Sequence, residues 1–204
     1  MLQFWLRIHF SEEIMKIKIL QWVLLLFLLP ADSLYLFGKN KKIIQRDLEK
    51  LKDEIPYDEM GVAAFNYAMV INKPFRNIFY YRTEYSLLGR NISKRFFPPL
   101  KTIEIMGKIG PGFRMSHNYA VIHPEKAGEN LFTGHGVTIG KGKPDADGRV
   151  YPIIGDNVSI YANAVVFGGI HIGNNVKIGA GAVVNKDVPD NCTVVGNPGR
   201  IILK

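Results

Sequence analysis

"IGDNVS IYANAV VFGGIH IGNNVK IGAGAV VNKDVP", residues 154–189 cut every six, puts an aliphatic residue at the head of each hexad: Ile154, Ile160, Val166, Ile172, Ile178 and Val184. The fifth places are apolar too: Val158, Ala164, Ile170, Val176, Ala182 and Val188. Helices repeat near 3.6 residues and ordinary strands at 2, so a strict beat of six, bounded by Gly and Asn, asks for short strands joined by tight turns. If three hexads make one coil, equivalent residues recur every eighteen positions and stack roughly 4.8 Å apart, with the backbone paired in parallel between coils. That is a β-solenoid. Gly155, Gly173 and Gly179, with Asn157 and Asn175, fit corners that need a positive φ or a small side chain. A sandwich of short strands would turn every ~8 to 12 residues and lose this register.

Read backward from Ile139, the beat continues more raggedly through Thr133, Ala127, Val121, Met115, Ile109 and Ile103, so the solenoid is expected to begin near residue 101. Ile139 and Ile154 are 15 residues apart, which is not a multiple of six, so "GKGKPDADGRVYP" leaves the coil between them as a loop, residues 140–153.

With 204 residues and 47% hydrophobic content, the chain can bury a sizeable core in one or two domains. The formal charge of +8 suggests an anionic partner, yet 15 of the 26 Lys and Arg residues precede residue 99, in segments of helical pattern. No run interleaves closely spaced basic residues with aromatics as a nucleic-acid reader would, so nucleic acid is not an expected partner. Cys192 is the single cysteine, which excludes an internal disulfide and offers no metal or redox pair.

The chain divides into an apolar N-terminal segment (1–38), a helical domain (39–100) and the solenoid with its tail (101–204). "ILQWVLLLFLLPADSLYLF" has about the length of a membrane span but holds Gln21, Pro30, Asp32 and Ser33. It also mimics a signal peptide, or an amphipathic helix lying on a membrane or a neighbouring subunit. In "KNKKIIQRDLEKLKDEI", Asp47 with Lys50 and Glu49 with Lys52 belong to a polar face, while Ile43, Ile44, Leu48 and Leu51 line the other. "DEMGVAAFNYAMVI" reads as a second helix, and "FRNIFYYRTEYSLLGR", with Pro74 in its first turn, as a third. Pro98 and Pro99 separate this part from the solenoid.

A helical N-terminal domain, a hexad solenoid with a loop after "GVTIG", then "IGAGAVV", "DVP" and the closing "VVGNPGRII" together resemble the serine acetyltransferases of the hexapeptide-repeat acyltransferase family, most closely over residues 103–202. The resemblance implies an α+β chain, an N-terminal helical domain followed by a left-handed parallel β-helix. It implies acetyl transfer from acetyl-CoA, a cosubstrate rather than a bound cofactor, to a hydroxyl, without metal and with a histidine as general base. His117 in "MSHNYAVIHPE" stands at the family's histidine motif, and Glu104 in "TIEIMGKIG" at its acidic position. An imidazole titrates close enough to neutrality to take a hydroxyl proton, and a carboxylate on its other nitrogen would fix the tautomer. The segment from Glu104 to Ile109 is about two residues shorter than the family pattern.

Where the family carries Asp before this His and His before Pro in the loop, the chain has Ser116 and Tyr151, and both family positions help hold serine. Arg149 in the loop and His135, which lies 18 residues after His117 and so should stack on it, complete the expected acceptor pocket. By motif match, Gly140, Lys141, Ala162, Asn163, Lys177 and Ala180 fall on the CoA path, with Lys177, Lys186 and Arg200 toward its phosphates. A backbone amide on that path can steady the developing oxyanion. The family's groove needs two walls, which implies a homotrimer with shared sites and, in some members, paired trimers.

His123 and His171 are expected at the surface, and His9 has no assigned role. A zinc site would need three convergent imidazoles; His135 and His171, 36 apart, offer two, but Val176 stands where a third would help. Three functions stay open: acetyl transfer to serine, leading to cysteine biosynthesis; O-acetylation of a sugar in surface-polysaccharide assembly; and a non-catalytic scaffold. Use of acetyl-CoA implies a cytoplasmic solenoid. Residues 17–37 are then expected to form a retained helix that packs within the oligomer or rests on the inner membrane face, aided by Lys39, Lys41 and Lys42.

Overall fold

The computed structural model describes residues 25–203. Within them, helices α1 (residues 25–37), α2 (Lys41–Glu49), α3 (Val62–Ile71), α4 (Lys73–Arg82) and α5 (Leu87–Phe96), with a 3-10 turn at Lys52–Glu54, precede a parallel β-solenoid. Face A stacks β1 (Ile103–Ile105), β4 (Ala120–Ile122), β7 (Val137–Gly140), β10 (Val165–Phe167) and β13 (Val183–Val184). Face B stacks β2 (Lys108–Ile109), β5 (Lys126–Ala127), β8 (Ile153–Ile154) and β11 (His171–Ile172). Face C stacks β3 (Arg114–Met115), β6 (Phe132–Thr133), β9 (Ser159–Ile160), β12 (Lys177–Ile178) and β14 (Cys192–Val195). The last strand, β15 (Arg200–Leu203), runs antiparallel to β14 and turns the chain back at the far end.

The hexads stack as their period requires. Ile154 pairs with Ile172, Ile160 with Ile178 and Val166 with Val184, each 18 residues on. All six heads and all six fifth places are buried in one core, where each such Val or Ile is worth about 1.5–3 kcal/mol relative to exposure. Across the loop the partners are Ala127 with Ile154 and Thr133 with Ile160, which are 27 residues apart, so nine residues leave the coil and the stack continues unbroken.

Upstream the expected beat fails on one face. Faces B and C keep 18, as in Ile109 with Ala127 and Met115 with Thr133, but face A runs at 17: Ile103 pairs with Ala120 and Ala120 with Val137. Ala120 and Ile122 point inward and Val121 outward, and Ile105 rather than Ile103 shares a column with Ile122 and Ile139. The physical reason lies in the corners. One residue is added between faces C and A before Ala120, and the corners from face A to face B are short, with three residues between Ile105 and Ile109 and four between Ile122 and Ala127 against five between Val166 and Ile172. Four residues separate inward Met115 from Ala120, whereas three separate Thr133 from Val137, Ile160 from Ala164 and Ile178 from Ala182.

The corners between faces B and C carry a ladder of side-chain amides. Asn130 Nδ2 donates to Asn157 Oδ1 (2.9 Å), Asn157 Nδ2 to Asn175 Oδ1 (3.2 Å) and Asn175 Nδ2 to Asn191 Oδ1 (3.0 Å), and all four asparagines have positive φ. Beside it, Asp156, Asn174 and Asp190 each accept from a backbone N–H of the preceding coil. The coils approach so closely there that a Cβ on Gly173 would collide with Asp190.

In the helical part, α1 lays Leu28, Ala31, Leu34 and Tyr35 into one core with Leu48, Phe65, Ala68 and Phe79, and Tyr35 stacks on Phe65 at 4.4 Å. Leu26, Leu29 and Phe37 stay exposed. No helix among the described residues is long and apolar enough to cross a membrane, and residues 17–24 of the expected helix lie outside them. The third expected helix is two helices: Thr83 Oγ1 donates to Phe79 O (2.8 Å) as α4 ends, and α5 restarts after Ser86. Asn72 caps α4 by accepting from Phe75 N (2.9 Å), with Pro74 in the first turn as expected.

Asp47 does not lie on a polar face opposite Lys50. It is buried, and Arg82 at the end of α4 grips both its oxygens, Nε to Oδ2 at 2.8 Å and Nη2 to Oδ1 at 3.2 Å. Arg82 also donates to the carbonyls of Ile109 (2.5 Å) and Gly110 (2.7 Å), while Phe113 N donates to Asp47 Oδ1 (2.8 Å). The pair therefore joins α2 and α4 to the first coil. Replacing Arg82 with Met strands a buried carboxylate, and urea denaturation should show a loss of about 3–5 kcal/mol. The exposed Arg46–Glu129 pair (3.1 Å) is the control, where Arg46→Ala should cost under about 1 kcal/mol; equal losses at the two sites would contradict the assignment. On the ladder, Asn157→Gly loses the amide rungs and Asn157→Ala loses the easy positive φ as well, so thermal denaturation should place the Ala variant ~1–2 kcal/mol lower.

Candidate active site

The additional corner residue falls where the histidine motif lies. At residues 116–119 the chain passes from face C to face A, and His117 takes φ +73, a conformation that the other described corners give to Asn or Gly. Such a left-handed non-glycine residue costs about 1–3 kcal/mol and marks a site whose surroundings hold it. Here Thr102 Oγ1 donates to Asn118 O, and Ser116 N donates to Thr133 O (3.0 Å). The bulge turns an exposed imidazole outward.

His135 sits on the next coil below. Its ring meets that of His117 edge to face at 5.8 Å, as the 18-residue spacing expects, and lies 6.3 Å from Tyr119. Farther down the same edge, Asn163 N donates to His135 O (2.7 Å) and Gly181 N to Ala162 O (2.9 Å), so His135, Ala162 and Ala180 form a column that ends in bare methyl groups. Lys177 stands exposed on face C just before this edge.

Met115, Ser116, His117 and Asn118 form one wall of a cleft of about 530 Å³. The other wall is helical and includes Glu54, Tyr67, Ile71 and Asn72. The Glu54 carboxylate is fixed there by Arg114 Nη2 and by Asn72 Nδ2 (3.1 Å). Sequence reasoning missed these residues. Glu54 lies in a 3-10 turn 60 positions before its partner Arg114, and no local pattern marks it.

Glu104 projects from the middle of β1, exposed on face A and paired in register with Val121. No hydrogen bond or ion pair joins it to His117 among the described residues. Gly140 and Lys141 leave face A at its opposite edge, toward face B. There the excursion folds on itself. Gly142 N donates to Val150 O (2.9 Å), and the Arg149 guanidinium is committed to Asp145 (2.7 Å), Asp147 (3.0 Å) and the ring of His171 (3.2 Å). Partial desolvation works against the Asp145 charge, yet hydrogen bonds from the Arg149 side chain and from the backbone of Arg149 and Asp147 hold its carboxyl below the usual range. The loop rests on Gly169, where a Cβ would collide with Arg149 O. Tyr151 stacks on the ring of His123 at 4.0 Å. Lys186 is exposed after β13 on this same side, and Arg200 is exposed at the start of β15.

The expected site residues thus divide between two edges of face A. One edge holds Ser116, His117, His135, Ala162, Asn163 and Ala180; the other holds Gly140, Lys141, Arg149 and Tyr151. A strand of three residues, roughly 10 Å, separates them. His135 and His171 do not converge either, because His171 lies on face B. The first edge, with an exposed imidazole at a cleft, is equipped to take a proton from a bound hydroxyl.

Known proteins resemble both parts. Residues 151–186 match the family model for bacterial transferase hexapeptide (six repeats). The serine acetyltransferase of Bacillus pumilus is 35% identical over 171 residues, covering 80% of this chain and 77% of that protein. That of Synechococcus elongatus is 43% identical over 99 residues, 48% of this chain and 40% of the relative. The crystal structure of Neisseria gonorrhoeae serine acetyltransferase in complex with serine superposes with a TM-score of 0.60 at 29% identity, over 84% of this chain and 72% of that one.

Proposed function

Because the chain belongs to the serine acetyltransferase family, we propose that it moves an acetyl group from acetyl-CoA to a hydroxyl acceptor, L-serine, with His117 as general base. One observation carries this: the motif histidine stands on a strained bulge at a cleft whose helical wall holds a fixed carboxylate, Glu54. The His117 imidazole accepts the hydroxyl proton as the oxygen attacks the thioester carbonyl. The new C–O bond forms, the C–S bond breaks, and the imidazolium returns the proton to the departing thiolate. Glu104, on the strand beside β4, is the proposed orienting carboxylate, and Glu54 suits the ammonium group of an amino acid.

The low column at Ala162 and Ala180, with Asn163 beside it, leaves room for a pantetheine arm along the edge, with Lys177 and Arg200 for phosphates and Lys186 reaching them from the opposite edge of a neighbouring copy. The other half of the site, with Gly140, Lys141, Arg149 and Tyr151, comes in this proposal from a neighbouring copy. Its support is the outward row of face A, Val121, Thr138, Val165 and Val183, which is suited to packing around a three-fold axis and would bring one edge to the opposite edge of the next chain. Use of acetyl-CoA and serine fits a cytoplasmic enzyme of cysteine biosynthesis.

A second acceptor class, a sugar hydroxyl, is favoured by Ser116, which lacks the family's charge, and by Tyr151, whose ring is taken up against His123. Thiol release from acetyl-CoA with serine, homoserine and hexoses separates the two, and release with none of them sinks both. His117→Ala should lower turnover by about 10²- to 10⁴-fold while CoA affinity, read by calorimetry, stays unchanged. Near-normal turnover would remove His117 from its role. Replacing residues 140–153 with a five-residue corner, the number that separates Val166 from Ile172, removes the nine residues that leave the coil and should preserve a trimer by sedimentation and abolish transfer, whereas a shortened, trimeric and fully active protein would free the loop from any part in the site.

A further inference from the structure

A second cleft, of about 280 Å³, lies between α4, α5 and the start of the solenoid, and it shares no lining residue with the His117 cleft, which takes only the first turn of α4. Its neutral donors are already spent. Tyr80 OH donates to Phe97 O (2.8 Å), Tyr81 OH to Gly107 O (2.8 Å) and Asn77 Nδ2 to Leu100 O (2.9 Å). What remains is cationic: Arg90 and Lys94, one turn apart on α5. Like charges at this spacing repel. Neither forms an ion pair among the described residues, and Arg90 Nε is buried with no acceptor. Lys94 lies over the ring of Tyr80 at 5.3 Å, and burial together with the charge of Arg90 holds its ammonium below the usual lysine range. Glu84, exposed at the rim, is the one carboxylate lining the cleft.

We propose that this cleft binds a phosphoryl group, gripped by the Arg90 guanidinium and the Lys94 ammonium. Two unspent cations call for a dianion; a phosphate monoester neutralises both, and its oxygens match the guanidinium fork. A carboxylate would leave one charge unanswered. The phosphoryl group has two sources, a soluble phosphorylated metabolite or a phospholipid headgroup, since Leu88 and Ile92 are exposed on another flank of α5.

Equilibrium dialysis of the full chain with radiolabelled inorganic phosphate, and co-sedimentation with phosphatidylcholine vesicles with and without phosphatidic acid, test the assignment. The wild type should retain phosphate, bind the acidic vesicles, or both, and the double variant Arg90→Gln/Lys94→Gln should bind at least tenfold more weakly. Lys101→Gln, an exposed lysine outside the cleft, should match the wild type. Circular dichroism confirms that the variants are folded. Phosphate retention without vesicle binding assigns a soluble ligand, and vesicle binding that the double variant loses assigns a headgroup. Binding that survives the double substitution, a wild type that takes neither probe, or displacement of phosphate by equimolar acetate overturns the proposal.

Discussion

A stack of parallel coils has two ends, and at the first there is no earlier coil to accept its backbone hydrogen bonds or to cover its core. The helical part supplies the missing partner. Ile78 of α4 closes over the apolar interior, and Arg82 takes the carbonyls of Ile109 and Gly110 while Asp47 takes the N–H of Phe113. Tyr81 and Asn77 do the same at Gly107, Ile109 and Leu100. The buried ion pair is therefore less a bond between two helices than a substitute for a coil.

The solenoid was legible in the sequence because its rule is local and repeated. From Ile154 to Val184 every head carries the same information, and any three hexads suffice to state the period. The helical part offered no such redundancy. Asp47 has Lys50 three places away, so a surface pair was the natural reading; its true partner, Arg82, is 35 positions on, and only burial reveals the difference. Val121 was misplaced because a period extrapolated backward cannot register one additional residue at a corner.

That residue belongs to the same corner as the candidate base. In the regular coils the corner from face C to face A gives its positive φ to Gly136, Asn163 or Gly181. The slip in register frees position 117 to carry an imidazole, and the cost in strain is borne by a core that the other coils already stabilise. Chemistry therefore stands where the repeat is imperfect, as expected when function and packing compete for one position. The motif itself could be recognised from sequence, but the helical wall opposite it, with Glu54 and Asn72, arises from docking between distant segments.

The excursion between Ile139 and Ile154 adds nine residues without changing which side chains stack on which. Contour length and stack height are thus separate variables in this architecture. A lineage can lengthen, shorten or rewrite a corner while the interior remains solved, and mutations there are filtered by recognition rather than by foldability. The solenoid works as a rack of interchangeable positions, and the residues that choose an acceptor can diverge quickly on a frame that hardly changes.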